Sequence, residues 1–169
     1  DQTFSSLKLK WPFPRAYFAR AIENLAAAGA AAIVLDVEFT EPSLIDPYDD
    51  LSLQHAIARF PRVVLAGKMV AEYGSHQTLN RYPLKPLRPL LEAGACWGYA
   101  NVYLDSDGFI RRYNLFQKLN QRFYYPLAVE TLCFIQNMPT KNVAIANDGS
   151  LTVGKFSISN YEFDTMLIN

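Results

Sequence analysis

Apolar residues recur at helical spacing at Phe18, Ala21, Ile22, Leu25 and Ala26, and the spacing predicts a helix with one buried stripe. Pro14 suits the first turn of that helix, where a missing N–H costs nothing. Gly29 can take the left-handed conformation that stops it. The period then changes. Residues 31–37 form a continuous apolar run, as expected of a strand covered on both faces. The run meets Asp36, Glu38 and Glu41 before Pro42 ends the extended segment. In open α/β sheets ligands gather at the carboxyl ends of strands, so this end draws notice.

The same alternation of periods continues downstream. Asp49 or Asp50 can cap a second helix, whose stripe is Leu53, Ala56, Ile57 and Phe60. Residues 63–66 are a second buried strand. Strand, helix and strand over this length predict a parallel pair with a right-handed crossover, with both strands central. Residues 72–86 read as a long polar loop, and loops of that length are often functional. Residues 87–93 read as a short helix ended by Gly94. Residues 97–103 and 109–117 flank Asp105-Ser106-Asp107-Gly108, a strong hairpin signal. Residues 126–137 read as a buried helix, apolar nearly all round. Residues 142–146 and 151–153 predict a further hairpin, and residues 1–13 look irregular or strand-like. The expected fold class is α/β: a mixed, partly parallel central sheet with helices on both faces and one or two β-hairpins.

Composition narrows the function classes. A chain of 169 residues suits one domain with a real core. Sixteen basic and sixteen acidic residues cancel, which leaves no electrostatic footprint for nucleic acid. No apolar run approaches the roughly 18 residues of a membrane span. Composition alone matches a cytosolic protein. The eight glycines fit neither the dinucleotide nor the P-loop spacing, no nucleophile elbow is present, and no cofactor is expected. Cys96 and Cys133 stand far apart with no His near either, so they make no metal pattern. Two buried free thiols are the favoured reading, a disulfide the other.

Asp36 is the sharpest candidate. An ionised carboxylate inside an apolar strand must be paired or must shift its pKa. Asp36 and Glu38 face the same side, because strand side chains alternate. A structural carboxylate, at least half buried and held by Arg111, Arg112 or a backbone N–H with a lowered pKa, is the first reading. A wall of a ligand pocket and an acid–base pair are the others. A phosphoacceptor receiver is excluded, since Glu38 and Glu41 lie on the wrong side in sequence. A calcium loop at residues 105–108 is disfavoured, because Tyr103 and Asn114 stand where acidic ligands are needed. Arg111 and Arg112 point to opposite faces of their strand. One of them is either half of a structural ion pair or an anion-binding group. His55 and His76 have no partner at ligand spacing.

Several segments taken in order resemble the second CHASE family, the extracytoplasmic sensory domains found beside cyclases and histidine kinases. They are WPFPRAYFARAIENLAAAGAAAIVLDVEFTEP, DDLSLQHAIARFPRVVLAG, GYANVYLDSDGFIRRYNL with the following YPLAVETLC, and the closing TMLIN. The resemblance implies one sensory domain over residues 1–169. It implies the periplasmic side of a bacterial membrane, in a receptor anchored by segments absent from this chain, with a kinase or cyclase output and no catalysis in this part. An unknown small ligand or protein partner is expected, with Asp36, Glu38, Glu41, Arg111 and Arg112 as candidate contacts and the loop 74–82 as a second place. The family continues beyond TMLIN. The domain is therefore expected to be truncated, with apolar surface near its C-terminus and self-association as a homodimer. Two rivals stand beside this: a hydrolase using Asp36 and Glu38, and a dimerisation module without a small ligand.

Overall fold

The computed structural model describes residues 11–46, 48–73, 79–162 and 164–168. Helix α1 (Arg15–Ala27) leads into strand β1 (Ile33–Glu38), and helix α2 (Asp49–Arg59) leads into strand β2 (Val63–Tyr73). β1 and β2 pair in parallel from Ile33 opposite Val63 to Leu35 opposite Leu65, as the two apolar runs predict. Strand β4 (Cys96–Tyr99) pairs in parallel with β2 on Val64 to Gly67. Strand β3 (Leu79–Leu84) pairs antiparallel with β2 over Lys68 to Tyr73. The sheet is mixed, with β2 at its centre.

Alternation along β2 sends its side chains to two cores. Val63 and Leu65 join Ile22, Leu53, Ile57 and Leu90 under α1, α2 and the short helix α3 (Arg88–Glu92). Val64 is buried on the opposite side, where helix α4 (Leu127–Ile135) packs against β2 and β4. A second core gathers Leu115, Phe116, Tyr125, Val129, Leu151 and Val153.

Small sheets follow. Strand β5 (Arg112–Asn114) pairs with β11 (Thr165–Leu167), β6 (Gln117–Leu119) with β7 (Arg122–Tyr124), and β9 (Leu151–Val153) with both β8 (Ala144–Ile145) and β10 (Phe156–Ile158). The hairpin at residues 142–153 is thus present.

Four expectations need correction. β1 is an edge strand, not a central one, and Val34, Asp36 and Glu38 on its second face are exposed. The buried stripe of α1 is Arg15, Ala19 and Ile22, with Ala21 and Leu25 exposed. An arginine takes a stripe position because its charge is satisfied inside. The polar stretch after residue 72 is largely a β-ribbon, because β2 runs to Tyr73 and β3 returns along it; residues 74–78, with His76, lie outside the described residues. Residues 105–108 make a local turn, closed by Gly108 N–H on the Asp105 carbonyl at 2.8 Å, but its flanks do not form a hairpin. β4 belongs to β2 and β5 to β11, and those longer-range partners take the hydrogen-bonding groups.

Candidate functional site

The site begins where the parallel strands β2 and β4 end. Past β4, Ala100 N–H still donates to the Gly67 carbonyl at 2.9 Å. The Asn101 side chain then imitates a strand. Its Oδ1 accepts from Met69 N–H at 2.7 Å, and its Nδ2 donates to the Met69 carbonyl at 3.0 Å. This clamp fixes the chain after β4 beside the start of the β2–β3 ribbon. Arg111 and Arg112 lie beyond the turn at residues 105–108, and β11 closes against β5.

These pieces border a cavity of about 500 Å³, open to solvent on one side, where Arg81, Leu104 and Arg112 are exposed; its size is usual for small-molecule sites. Met69, Ala71 and Arg81 line its ribbon wall, and Asp105, Arg112 and Asn114 the wall across from it, with Gln117, Asp164 and Thr165 also in the lining. Arg81 pairs directly with Ala71 in the ladder, so the two share a face.

Charge inside the cavity is partly settled. Arg112 grips Asp105 with two donors on one oxygen, Nε at 2.9 Å and Nη2 at 2.6 Å from Oδ1, a charge-assisted pair. Arg112 also reaches Glu162 at 3.5 Å. The Arg112 hydrogen bonds hold the Asp105 carboxyl below its ordinary value against the opposing effect of burial, and Arg111 adds to them. Gln117 donates to the Tyr103 hydroxyl at 2.9 Å. Thr165 is buried, and its hydroxyl has no hydrogen-bond partner among the described residues. A buried polar atom left without a partner is uncommon and calls for a reason.

The residues singled out from the sequence divide. Arg112 lines the cavity. Arg111 stays outside, bonded to Asp107 at 2.9 Å and lying over the Phe109 ring at 5.0 Å. Asp36 is exposed, not half buried. It sits where the β1 register jumps from Leu35 to Glu38, a bulge on an edge strand that turns the carboxylate toward water. Neither Arg111 nor Arg112 pairs with it, since both are taken by the acids of the 105–107 turn and by Glu162. Its near neighbour is Tyr113. Glu38 does share Asp36's side, but it is held by Lys68 at 2.8 Å on the surface. The Glu41 carbonyl accepts from the Arg15 guanidinium. None of the three acids lines the cavity.

Arg81 falls within the second expected place, residues 74–82, as a strand residue of β3 and not a loop residue. Asn114, Gln117, Asp164 and Thr165 are not among the residues the sequence singles out. They join the site only through the β5–β11 pairing, which no local pattern announces.

A second cavity of about 520 Å³ lies between α4 and the Pro61–Arg62 turn. Cys96 and Cys133 both line it and are free, but only Cys133 is buried; Cys96 is partly exposed. Burial pushes both thiols up, Cys133 to about 11. Glu130 lines the same cavity, and burial pushes its carboxyl up to about 7. Among the described residues no group of His, Cys, Asp and Glu is arranged to hold a metal ion.

Compared with known proteins, the chain matches the family model described as CHASE2 domain over residues 1–169. No curated protein and no solved structure matches it.

Proposed function

The chain belongs to the CHASE2 domain family, extracytoplasmic sensory domains of signalling receptors, and from that premise we propose that it senses a small molecule held in the Arg112 cavity. The family is sensory, not catalytic. The receptor would be anchored in a membrane by segments outside this chain; no helix among the described residues is long and apolar enough to cross one. Its output would be a kinase or a nucleotide cyclase.

The observation that carries the proposal is the make-up of the cavity, in which the apolar side chains of Met69, Leu104, Phe116 and Leu119 surround a few polar ones, Arg81, Arg112, Asn114 and Asp164 among them. Apolar walls with a few convergent polar groups are the usual form of a small-molecule site. The cavity also joins two separately built parts, the β2–β3 ribbon and the β5–β11 pair. A ligand touching both favours one spacing between them over others. Signalling needs that differential affinity.

The test is a thermal-shift screen of a broad small-molecule library, followed by calorimetric titration of the hits on wild type and Ala71→Trp, which fills the cavity from its ribbon wall. A hit bound by wild type and lost in Ala71→Trp supports the cavity. Hits indifferent to Ala71→Trp and to Arg112→Gln would locate binding elsewhere.

A dimerisation role has its own observation. Phe109 and Ile110, before β5, and Leu167 and Ile168, at the end of β11, are exposed together, and Ile168 N–H donates to the Arg111 carbonyl at 2.8 Å. Adjacent exposed apolar side chains of this kind mark interaction surfaces. Sedimentation should show a dimer that Phe109→Ser with Leu167→Ser disrupts.

A further inference from the structure

We propose that the ligand of the Arg112 cavity is a zwitterion of the free amino acid class, its carboxylate received by Arg81 and its ammonium by Asp164. The inference rests on the reading of this cavity as the ligand site and adds the ligand's chemistry.

The charges that line the cavity are not equally occupied. Arg112 and Asp105 neutralise each other through two hydrogen bonds. Lys118 also makes no ion pair among the described residues, but its ammonium lies over the Phe123 ring at 5.5 Å. Two charged groups of the lining have neither an ion pair nor a ring contact among the described residues. Arg81, on β3, makes no ion pair among the described residues, and neither does the Asp164 side chain. Both line the same cavity, yet they do not pair with each other. They are opposite in sign and come from different parts of the fold, the ribbon and the residue preceding β11.

The occupant follows from charge complementarity. A simple anion would satisfy Arg81 and set a second negative charge against Asp164. A simple cation would do the reverse. A neutral molecule would leave both charges uncompensated while displacing their water, which is costly. A molecule with both charges matches both walls. The guanidinium of Arg81 offers a fork suited to a carboxylate, and the Asp164 oxygens accept from an ammonium. Such a ligand ties the ribbon to β11, the coupling a sensor requires.

The experiment is calorimetric titration of the chain with each of the common amino acids at millimolar concentration. The amino acid that binds is then tested in its N-acetyl form, which lacks the ammonium charge, and as its methyl ester, which lacks the carboxylate. It is also titrated into Arg81→Gln and Asp164→Asn. Both variants replace unpaired groups, so their unfolding midpoints should match wild type and confirm that they fold. The expected result is saturable binding by at least one amino acid, weakened at least about tenfold by each blocked form and each variant. Undiminished binding of either blocked form, or by either variant, overturns the assignment. If no amino acid binds but hits from the broad library do, the zwitterion is wrong and the cavity stands. If neither set binds, both proposals fall.

Discussion

The carboxylate of Asp49 caps a helix to which Asp49 does not belong. Its Oδ2 accepts the backbone N–H of Arg15 at 2.8 Å, and its Oδ1 accepts that of Ala16 at 3.0 Å. These are the first amides of α1, and Pro14 before them brings no capping side chain. Arg15 returns the contact, since its guanidinium bonds Asp50 and the Glu41 carbonyl and lies over Phe39 at 5.3 Å. The starts of α1 and α2 are thereby locked together at the carboxyl end of β1.

Burial pushes the Asp49 carboxyl up, but the hydrogen bonds from Arg15, Ser43 and Ala16 and the Arg15 charge outweigh it, so the net shift is downward. A depressed carboxyl contributes stability that is present above its unfolded value, about 3.9, and is lost as pH falls through the lower folded value. Asp49→Ala should cost about 1–3 kcal/mol at neutral pH, because buried donors lose their acceptor. Asp49→Asn should cost less, as the amide oxygen still accepts. Urea unfolding of both variants at pH 7 and pH 3 checks this; the gap to wild type should narrow at the lower pH.

Asn101 should matter as a backbone partner. Asn101→Ala leaves both polar groups of Met69 without their partner and should cost about 1–3 kcal/mol. Asn101→Asp keeps the acceptor for Met69 N–H but faces the Met69 carbonyl with an oxygen, so it should recover only part of that loss. Hydrogen exchange at the Met69 amide gives a direct readout: fast in the alanine variant, intermediate in the aspartate one.

What the sequence disclosed depended on the range of the forces involved. The parallel β1–β2 pair was legible because each strand and the helix between them write their own period into contiguous residues. Asp36 is exposed against the expectation from its sequence because a bulge and an edge position are set by neighbours. The pattern of apolar residues around Asp36 is the same whether one face of β1 is covered or open. Asp49 reads as a cap, but the helix it caps lies 34 residues back in the chain. The acids at 105 and 107 read as a turn, while their arginine partners a few residues on read equally well as partners for Asp36. The cavity was least legible, because Arg81, Arg112 and Asp164 meet only through the β2–β3 and β5–β11 pairings.

Gly98 should tolerate no side chain. A Cβ there would stand 2.7 Å from the backbone N and Cα of Leu127 and 2.8 Å from the Pro126 carbonyl carbon. These are atoms of the α4 start, which cannot rotate away. Gly98→Ala should therefore push α4 off β4 and cost about 1–3 kcal/mol or more. Denaturant unfolding checks the loss. A variant as stable as wild type would show that α4 does not sit this close to β4.

Glu130 should make stability fall as pH rises. Burial alone holds its carboxyl at about 7, against 4.5 for the free group. No hydrogen bond or ion pair to its side chain offsets that burial among the described residues; Arg62 and Lys141 line the same cavity without bonding it. Between about pH 4.5 and 7 the folded chain therefore keeps a proton that the unfolded chain releases. Stability declines with pH wherever the folded state binds more protons, so the contribution is full below the unfolded value and is lost as pH rises through the folded one. Glu130→Gln keeps the shape of the protonated acid and cannot ionise. It should match wild type near pH 5 and exceed it near pH 8, by up to about 3 kcal/mol at one pKa unit per 1.36 kcal/mol. Urea unfolding of both proteins at pH 5, 6.5 and 8 measures the difference, and taking it between variant and wild type removes what the two proteins share. Parallel profiles for the two proteins would mean that the Glu130 carboxylate is solvated when charged, with the second cavity open to water at α4.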